Sequence, residues 1–498
     1  MSEKLKQLRE RLGEVADLGR AASVLGWDQQ VNMPPGGSEA RGRQLATLNK
    51  IAQEKFITDE VGGLIDDLKQ EVDGADSDDA ALVRVAARDY DKAKRVPPSF
   101  IAEQAMVTSQ AFQAWKAARS KSDFAIFRPH LERVVELVHK YISFFPTGEH
   151  PYDILLDNYE PGMKTMDVKE IFDKLRPKQV KLIKAIASRK PVKNDFLFRN
   201  YNEKKLVDFG VDVITKFGYD WSRGRQDKAP HPFESRFSVN DVRITTRYEK
   251  DNPMATLFST MHEAGHALYE QGVNPIYERT PLAGGTSLAV HESQSRLWEN
   301  LVGRSLPFWE HFYPAFKKSF SSQLDGVSPK SFYKAINSVQ PSLIRVNADE
   351  ATYNLHIMLR LELEIGLVEG TIAVKELPEL WNTKMEEYLG VTPPDDAKGV
   401  LQDIHWSYSL IGYFSTYALG NLVSAQLWEK INKDIRNLDD QIRKGDFSDL
   451  LDWLRKNIHR YGHKYDPQEL VERVTGSRIS PEPYVRYLTK KYSDIYGL

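Results

Sequence analysis

Leu5, Leu8, Leu12, Val15 and Leu18 recur at intervals of three and four through a highly charged stretch, which predicts an amphipathic helix near the start of the chain. The same spacing in Leu131, Val134, Val135, Val138 and Ile142 predicts another, and the apolar-rich run from Ala351 to Val368 predicts a buried helix. Clusters of Pro and Gly punctuate these segments: MPPGG at 33–37, DGADSDD at 73–79, VPPSF at 96–100, FPTGEHP at 145–151, TPPDD at 392–396 and SPEP at 480–483. They read as turns and short loops. One segment breaks the helical period. From Phe237 to Tyr248, Val242, Ile244, Thr245 and Thr246 predict a short strand after a polar turn. No fixed repeat, low-complexity linker or charge block divides the chain, although its length alone would suggest about three domains. The expectation is a mainly α fold in one domain over 1–498, as a single body or as two lobes around a cleft.

Composition narrows the chemistry. The 498 residues carry 68 basic and 70 acidic side chains, a formal net charge of -2, and 41% are hydrophobic. Such a chain can bury a core, which excludes disorder, and its near balance of charge gives no global pull toward nucleic acid or anionic lipid. There is no cysteine. That removes disulfides, thiolate metal ligands and a cysteine nucleophile together, so any metal must be held by His, Asp or Glu. The first thirty residues lack the apolar core of a signal peptide, and no run approaches 18 uninterrupted apolar residues. A soluble cytoplasmic protein with no membrane and no nucleic-acid partner is expected.

Residues 252–272 read NPMATLFSTMHEAGHALYEQG, a helix pattern with Asn252 as N-cap, Pro253 at the first helical position and Gly272 as the stop. Within it, His262 and His266 are four residues apart, which brings the two imidazoles to within roughly 40° of each other, one turn apart, where both can reach one metal ion. Glu263 is offset by about 100° and is free to serve as general base beside the ion. The plainer alternative is a helix with two unrelated histidines. Leu257, Met261 and Leu268 supply an apolar lining that fits a buried metal helix.

A third ligand is still needed. Tyr269 stands where the metzincin extension requires Gly, so a carboxylate from a second helix is the better solution. Glu292 is the candidate, on a helix that Ser287 can cap; the alternative is an exposed helix carboxylate. Glu270 lies two turns from His262, and Glu299 two turns beyond Glu292, which disfavours both as ligands. Two histidines and one carboxylate suit Zn²⁺ or Co²⁺.

These residues sit in an ordered set: Trp27-Asp28, Met33-Pro34, HPF at 231–233, DVRIT at 241–245, HEAGH at 262–266, HESQ at 291–294, IRVNAD at 344–349 and GVLQDIHW at 399–406. In that set the chain resembles the M32 metallocarboxypeptidases, nearly end to end. The resemblance implies a mostly α-helical homodimer with a deep groove, similar to neurolysin-type oligopeptidases and the angiotensin-converting-enzyme group, and a small antiparallel β-sheet beside the metal helix. It implies one divalent ion per subunit, Zn²⁺ or Co²⁺, on His262, His266 and Glu292, with Glu263 catalytic. The implied activity is broad removal of single C-terminal residues from peptides.

The other blocks take roles on chemical grounds. A terminal carboxylate suits a guanidinium fork, with Arg345 first and Arg243 second; each has an alternative as an ion pair, with Asp349 or Asp241. His405 and Tyr413 are candidates for the oxyanion or the peptide carbonyl, and Tyr417 for substrate contact, the alternative being core packing. His231 is a site residue or a support, and His291 merely flanks the ligand. His130, His139, His311, His356, His459 and His463 show no ligand spacing. DVRIT can serve as an edge strand that holds an extended peptide. Two competing functions remain open, an endo-acting oligopeptidase and a peptide-binding scaffold with a vestigial HExxH.

Overall fold

The leucine stripe at the start of the chain forms the buried face of a helix, Glu3–Val31, opened by Ser2, whose hydroxyl accepts the Leu5 N–H at 3.3 Å. Leu5, Leu8 and Leu12 are buried, and Val15 and Leu18 are half-buried. The three leucines share a cluster with Val61, Ile65, Leu68, Leu82 and Val85, and with Val273, Tyr277 and Leu282. Each such burial is worth roughly 1.5–3 kcal/mol. That cluster ties the N-terminal helices to the segment that follows the HEAGH helix.

The computed structural model describes residues 2–72, 74–146 and 148–498. Residues 1, 73 and 147 lie outside the described residues, and with the last two go one position each of the turn clusters at 73–79 and 145–151. The fold is mainly α: among the described residues there are twenty α-helices and three short strands. The chain forms two compact units, each assembled from three separate segments. One comprises 1–94, 193–336 and 427–477; the other comprises 95–192, 337–426 and 478–498.

The first unit holds the sheet, β1 (Gln226–Lys228), β2 (Glu234–Ser238) and β3 (Asp241–Thr246), in the order β1-β3-β2. β2 and β3 form an antiparallel hairpin with a register shift between Arg236 and Ser238. The expectation of an antiparallel sheet is corrected at β1, which runs parallel to β3. The reason is the connection. Residues 229–233, which contain HPF, carry the chain from β1 past one strand position to β2, and β3 returns into the slot between them, so DVRIT is the central strand, paired on both sides, and not the edge strand expected. Phe233 accepts from the Thr245 N–H at 2.9 Å, and Ala229 donates to Thr246 O at 3.1 Å, which pins both ends of the loop to β3. Val242 and Ile244 are fully buried, and the Thr246 and Thr260 hydroxyls meet at 3.0 Å, so β3 lies against the HEAGH helix.

The second unit contains the other two predicted helices. In Phe124–Ile142, Leu131, Val134 and Val138 are buried, and Val135 and Ile142 half-buried. Tyr353–Glu369 is buried on nearly every side and carries Arg360 and Glu364 inside it. A helix buried all round can hold such groups only if they are paired.

Candidate metal centre

The HEAGH helix runs from Pro253 to Gly272, with Pro at its first position as predicted. Asn252 precedes it without a side-chain cap, a correction to the predicted role. Leu257, Met261 and Leu268 are fully buried, which fixes the rotation of the helix and turns His262 and His266 together toward one side. The second helix is Leu288–Arg296, and Ser287 caps it by accepting the Val290 N–H at 3.1 Å.

Gly265 brings the two helices together. A Cβ there would lie 2.6 Å from Ser295 Cα and 2.7 Å from Gln294 O, so only glycine permits this backbone approach. The result is that Glu292 Oε2 stands 3.6 Å from His262 Nε2 and 3.6 Å from His266 Nε2. Among the described residues, these three alone form a group with metal-holding geometry. Ligand atoms that far apart, seen at a tetrahedral angle, lie about 2.2 Å from a shared centre, close to Zn–N and Zn–O bond lengths. The donor set therefore fits a divalent ion.

Each ring's remaining nitrogen is occupied. His262 Nδ1–H donates to Glu299 Oε2 at 2.9 Å. His266 Nδ1 lies 2.5 Å from His291 Nδ1, and His291 Nε2–H donates to Glu270 Oε1 at 2.9 Å. His291 thus presents Nδ1 as acceptor to the His266 Nδ1–H. In these tautomers both Nε2 atoms, which face Glu292, are left with a lone pair. Glu270 is anchored in turn by Arg236 Nε at 3.0 Å and by the Gly285 N–H at 3.1 Å.

The two carboxylates around the histidines are held charged. Burial works against the charge on Glu292, but Arg296, then His262 and His266, hold its carboxyl well below the usual range. Burial lowers His266 to about 3 and keeps it neutral. At His262 burial is outweighed by Glu292 and by the hydrogen bond to Glu299, which raise its pKa. Glu299 is held at about 2 against burial, by Arg296 first and then by His262. Glu263 sits beside the group, 7% exposed.

Sequence spacing missed the Glu299–His262 contact and the Arg296 charge beside Glu292, and read His291 as a bystander. The signal for Glu299 was present: seven residues after Glu292 is two helical turns on the same face. It stands outside the group of His262, His266 and Glu292 and meets the other nitrogen of the His262 ring.

The remaining predicted residues fall in two places. In the first unit, Arg243 lies bidentate on Asp241 at 2.8 Å for both bonds and stacks over Trp27 and Phe237 at 4.6 and 4.8 Å. His231 is exposed on the β1–β2 connection. In the second unit, Arg345, His405, Tyr413 and Tyr417 come together. Arg345 is 6% exposed, and its partner is Asp403, not Asp349 as the alternative reading had it. Asp349 instead accepts the N–H groups of Gln340, Ala351 and Thr352 at 2.9–3.0 Å. The Arg345 guanidinium lies 5.1 Å from the Tyr417 ring. His405 packs 4.5 Å from Phe414 and 5.3 Å from Tyr413, and burial, with Arg345 and Arg360, lowers it to about 4.

Helices enclosing a paired-histidine, single-carboxylate centre beside a small sheet define a helical metallopeptidase. The family described as Carboxypeptidase Taq (M32) metallopeptidase matches residues 7–492. The chain is 41% identical to thermostable carboxypeptidase 1 of Thermus thermophilus and 39% identical to that of Pyrococcus furiosus, over 99% of each chain. Its fold superposes on the crystal structure of the M32 carboxypeptidase from Deinococcus radiodurans with a TM-score of 0.97, at 40% identity and over 100% of both chains. The chain belongs to the M32 family of metallocarboxypeptidases.

Proposed function

We propose that the carboxypeptidase activity is carried by His262, His266 and Glu292 as ligands of one divalent ion per subunit, Zn²⁺ or Co²⁺, with Glu263 as general base, and that single C-terminal residues are removed with broad specificity. The observation that supports this most directly is the 3.6 Å convergence of both His Nε2 atoms on one Glu292 oxygen. When bound, the ion supplies a more acidic water and polarises the scissile carbonyl.

Glu263 is offset around the helix from both histidines and does not compete for the ligand position. Burial pushes its carboxyl up to about 7, with Glu292 and Glu299 adding to the effect and His262 opposing it. As a carboxylate it takes a proton from the attacking water and returns it to the leaving amine. Arg345 is our choice for the terminal carboxylate. Its Nε and Nη2 donate to Asp403 and its Nη1 to Tyr353, so three of five N–H groups are engaged and two are left. His405 and Tyr413 are assigned to the oxyanion and peptide carbonyl, and Tyr417, Arg243 and His231 to substrate contact. Peptides as substrates, a homodimer and a cytoplasmic location complete the reading and rest on the family resemblance; no helix among the described residues is long and apolar enough to cross a membrane.

The test is a defined peptide digested by the purified protein, with products read by mass spectrometry, before and after chelation and with Zn²⁺ or Co²⁺ restored. A ladder of single C-terminal losses, abolished by chelation and by C-terminal amidation, is expected. Internal fragments would replace this reading with endopeptidase action. Glu263→Gln should lower kcat roughly 10²–10⁴-fold with metal content unchanged; full activity in that variant would overturn the general-base role.

A further inference from the structure

The Glu292 carboxylate uses its two oxygens differently. Oε2 is the atom that stands 3.6 Å from both His Nε2 atoms, whereas Oε1 accepts from Arg296 Nε at 2.7 Å. Arg296 is four residues after Glu292 on the same helix, so the two side chains share a face. The same guanidinium reaches three residues forward. Its Nη1 lies 3.2 Å from Glu299 Oε2, the oxygen that also accepts the His262 Nδ1–H. One side chain, 15% exposed, therefore touches both the carboxylate ligand and the carboxylate that aims a histidine ligand.

Two further features keep this arrangement rigid. Immediately after Arg296 the helix widens into a π-helical stretch, Leu297–Val302, closed by Gly303 N–H on Trp298 O at 2.9 Å. Glu299 sits within it. From its far side Arg304 Nη2 approaches Glu299 Oε1 at 3.4 Å, while the Arg304 guanidinium lies 3.7 Å above the Phe258 ring and its Nε donates to Asn300 Oδ1 at 3.0 Å. The two carboxylates and two guanidiniums are all poorly exposed, and their charge-assisted hydrogen bonds are correspondingly stiff.

We propose that Arg296 is a positioning residue that restricts Glu292 to one-oxygen coordination and, through Glu299, fixes the ring of His262. An oxygen lone pair engaged by a guanidinium N–H is withdrawn from a cation on the other side of the carboxylate, so the protein offers three ligand atoms and not four. The positions left over on the ion are those that water and a substrate carbonyl require. This rests on the proposed ligand set.

The experiment uses the full-length protein loaded with Co²⁺, comparing wild type, Arg296→Gln, Arg296→Lys and Glu292→Gln. Visible d–d absorption reports coordination number, being stronger at four-coordinate than at six-coordinate Co²⁺. Chelator competition reports affinity for Co²⁺ and Zn²⁺. Arg296→Gln should keep one ion per chain, with weakened absorption as Glu292 turns both oxygens to the ion, and with affinity changed roughly 10- to 100-fold. Arg296→Lys restores a charged donor to Oε1 and should recover much of the absorption, while a single ammonium cannot hold both carboxylates and the affinity change should persist. An unchanged spectrum and affinity in Arg296→Gln would overturn the proposal. If that variant fails to fold, Arg296→Lys decides, since unchanged affinity there removes the bridging role. Glu292→Gln separates the two layers: if it binds Co²⁺ as tightly as wild type, the ligand assignment falls, whatever Arg296 does.

Discussion

Arg345 and Asp403, 58 residues apart, meet side-on, with Nε at 3.1 Å and Nη2 at 2.9 Å from one carboxylate oxygen. Arg360, fully buried, takes the other oxygen through Nε at 2.7 Å. The same two motif blocks are also joined by the Arg345 N–H, which donates to Gln402 Oε1 at 2.8 Å. IRVNAD and GVLQDIHW thus interlock, and Asp403 pairs with two guanidiniums at once, one through each oxygen.

Replacing Asp403 by Asn leaves those guanidiniums buried without their carboxylate. Asp403→Asn should destabilise the protein by about 3–5 kcal/mol in urea unfolding. Arg345 and Arg360 hold the Asp403 carboxyl below its usual range despite burial, so the folded pKa is depressed. The stability it contributes is therefore complete above the unfolded value of about 3.9 and is lost as pH falls below it. Wild type should lose stability on acidification more steeply than Asp403→Asn; parallel pH profiles would refute the assignment.

Arg345→Lys keeps the charge against Asp403 but removes the fork. If Arg345 holds the terminal carboxylate, losing one charge-assisted hydrogen bond of about 1.5–3 kcal/mol should raise KM roughly ten- to hundredfold. Steady-state kinetics on free-carboxylate peptides measure this, and an unchanged KM would move the clamp to another residue.

Gly265→Ala places a methyl group against Ser295 Cα and Gln294 O, which are backbone and cannot rotate away. The two helices must separate by a few tenths of an ångström or more, at a cost of about 1–3 kcal/mol. Since Glu292 rides on the displaced helix, metal affinity should fall along with thermal stability. Chelator competition that finds wild-type affinity would show that the close approach is not what sets the site.

His291→Phe preserves the ring volume and removes both nitrogens. His266 Nδ1 then loses its acceptor, and Glu270 one of its partners. Metal affinity should drop roughly 10- to 100-fold with little change in helix content by circular dichroism. An unaltered dissociation constant would return His291 to a packing role.

Much of the site could be read from local spacing. His262, Glu263 and His266 lie within one turn and a fraction, so helix geometry alone orients them, and Ser287 marks the helix that carries Glu292 by capping chemistry. The parallel pairing of β1 was not legible, because pairing across an intervening strand is decided by which slot the chain leaves open, not by the alternation of side chains. The partner of Arg345 was not legible either. Nearby Asp349 had the right charge, but its oxygens were already taken by the N–H groups of Gln340, Ala351 and Thr352, and Asp403 came from a distant block.

Local spacing along the chain was enough to set the helices and the His262–His266 pairing within one of them, and the absence of cysteine left imidazole and carboxylate as the available metal donors. Those properties depend on residues a few positions apart, where the backbone period sets the geometry. Tertiary structure decided that Glu292 approaches through the space Gly265 leaves, that Glu299 and His291 hold the rings of His262 and His266, and that Asp403 holds Arg345. Each of these joins segments whose separation along the chain says nothing about distance, and only packing two surfaces together fixes which groups meet.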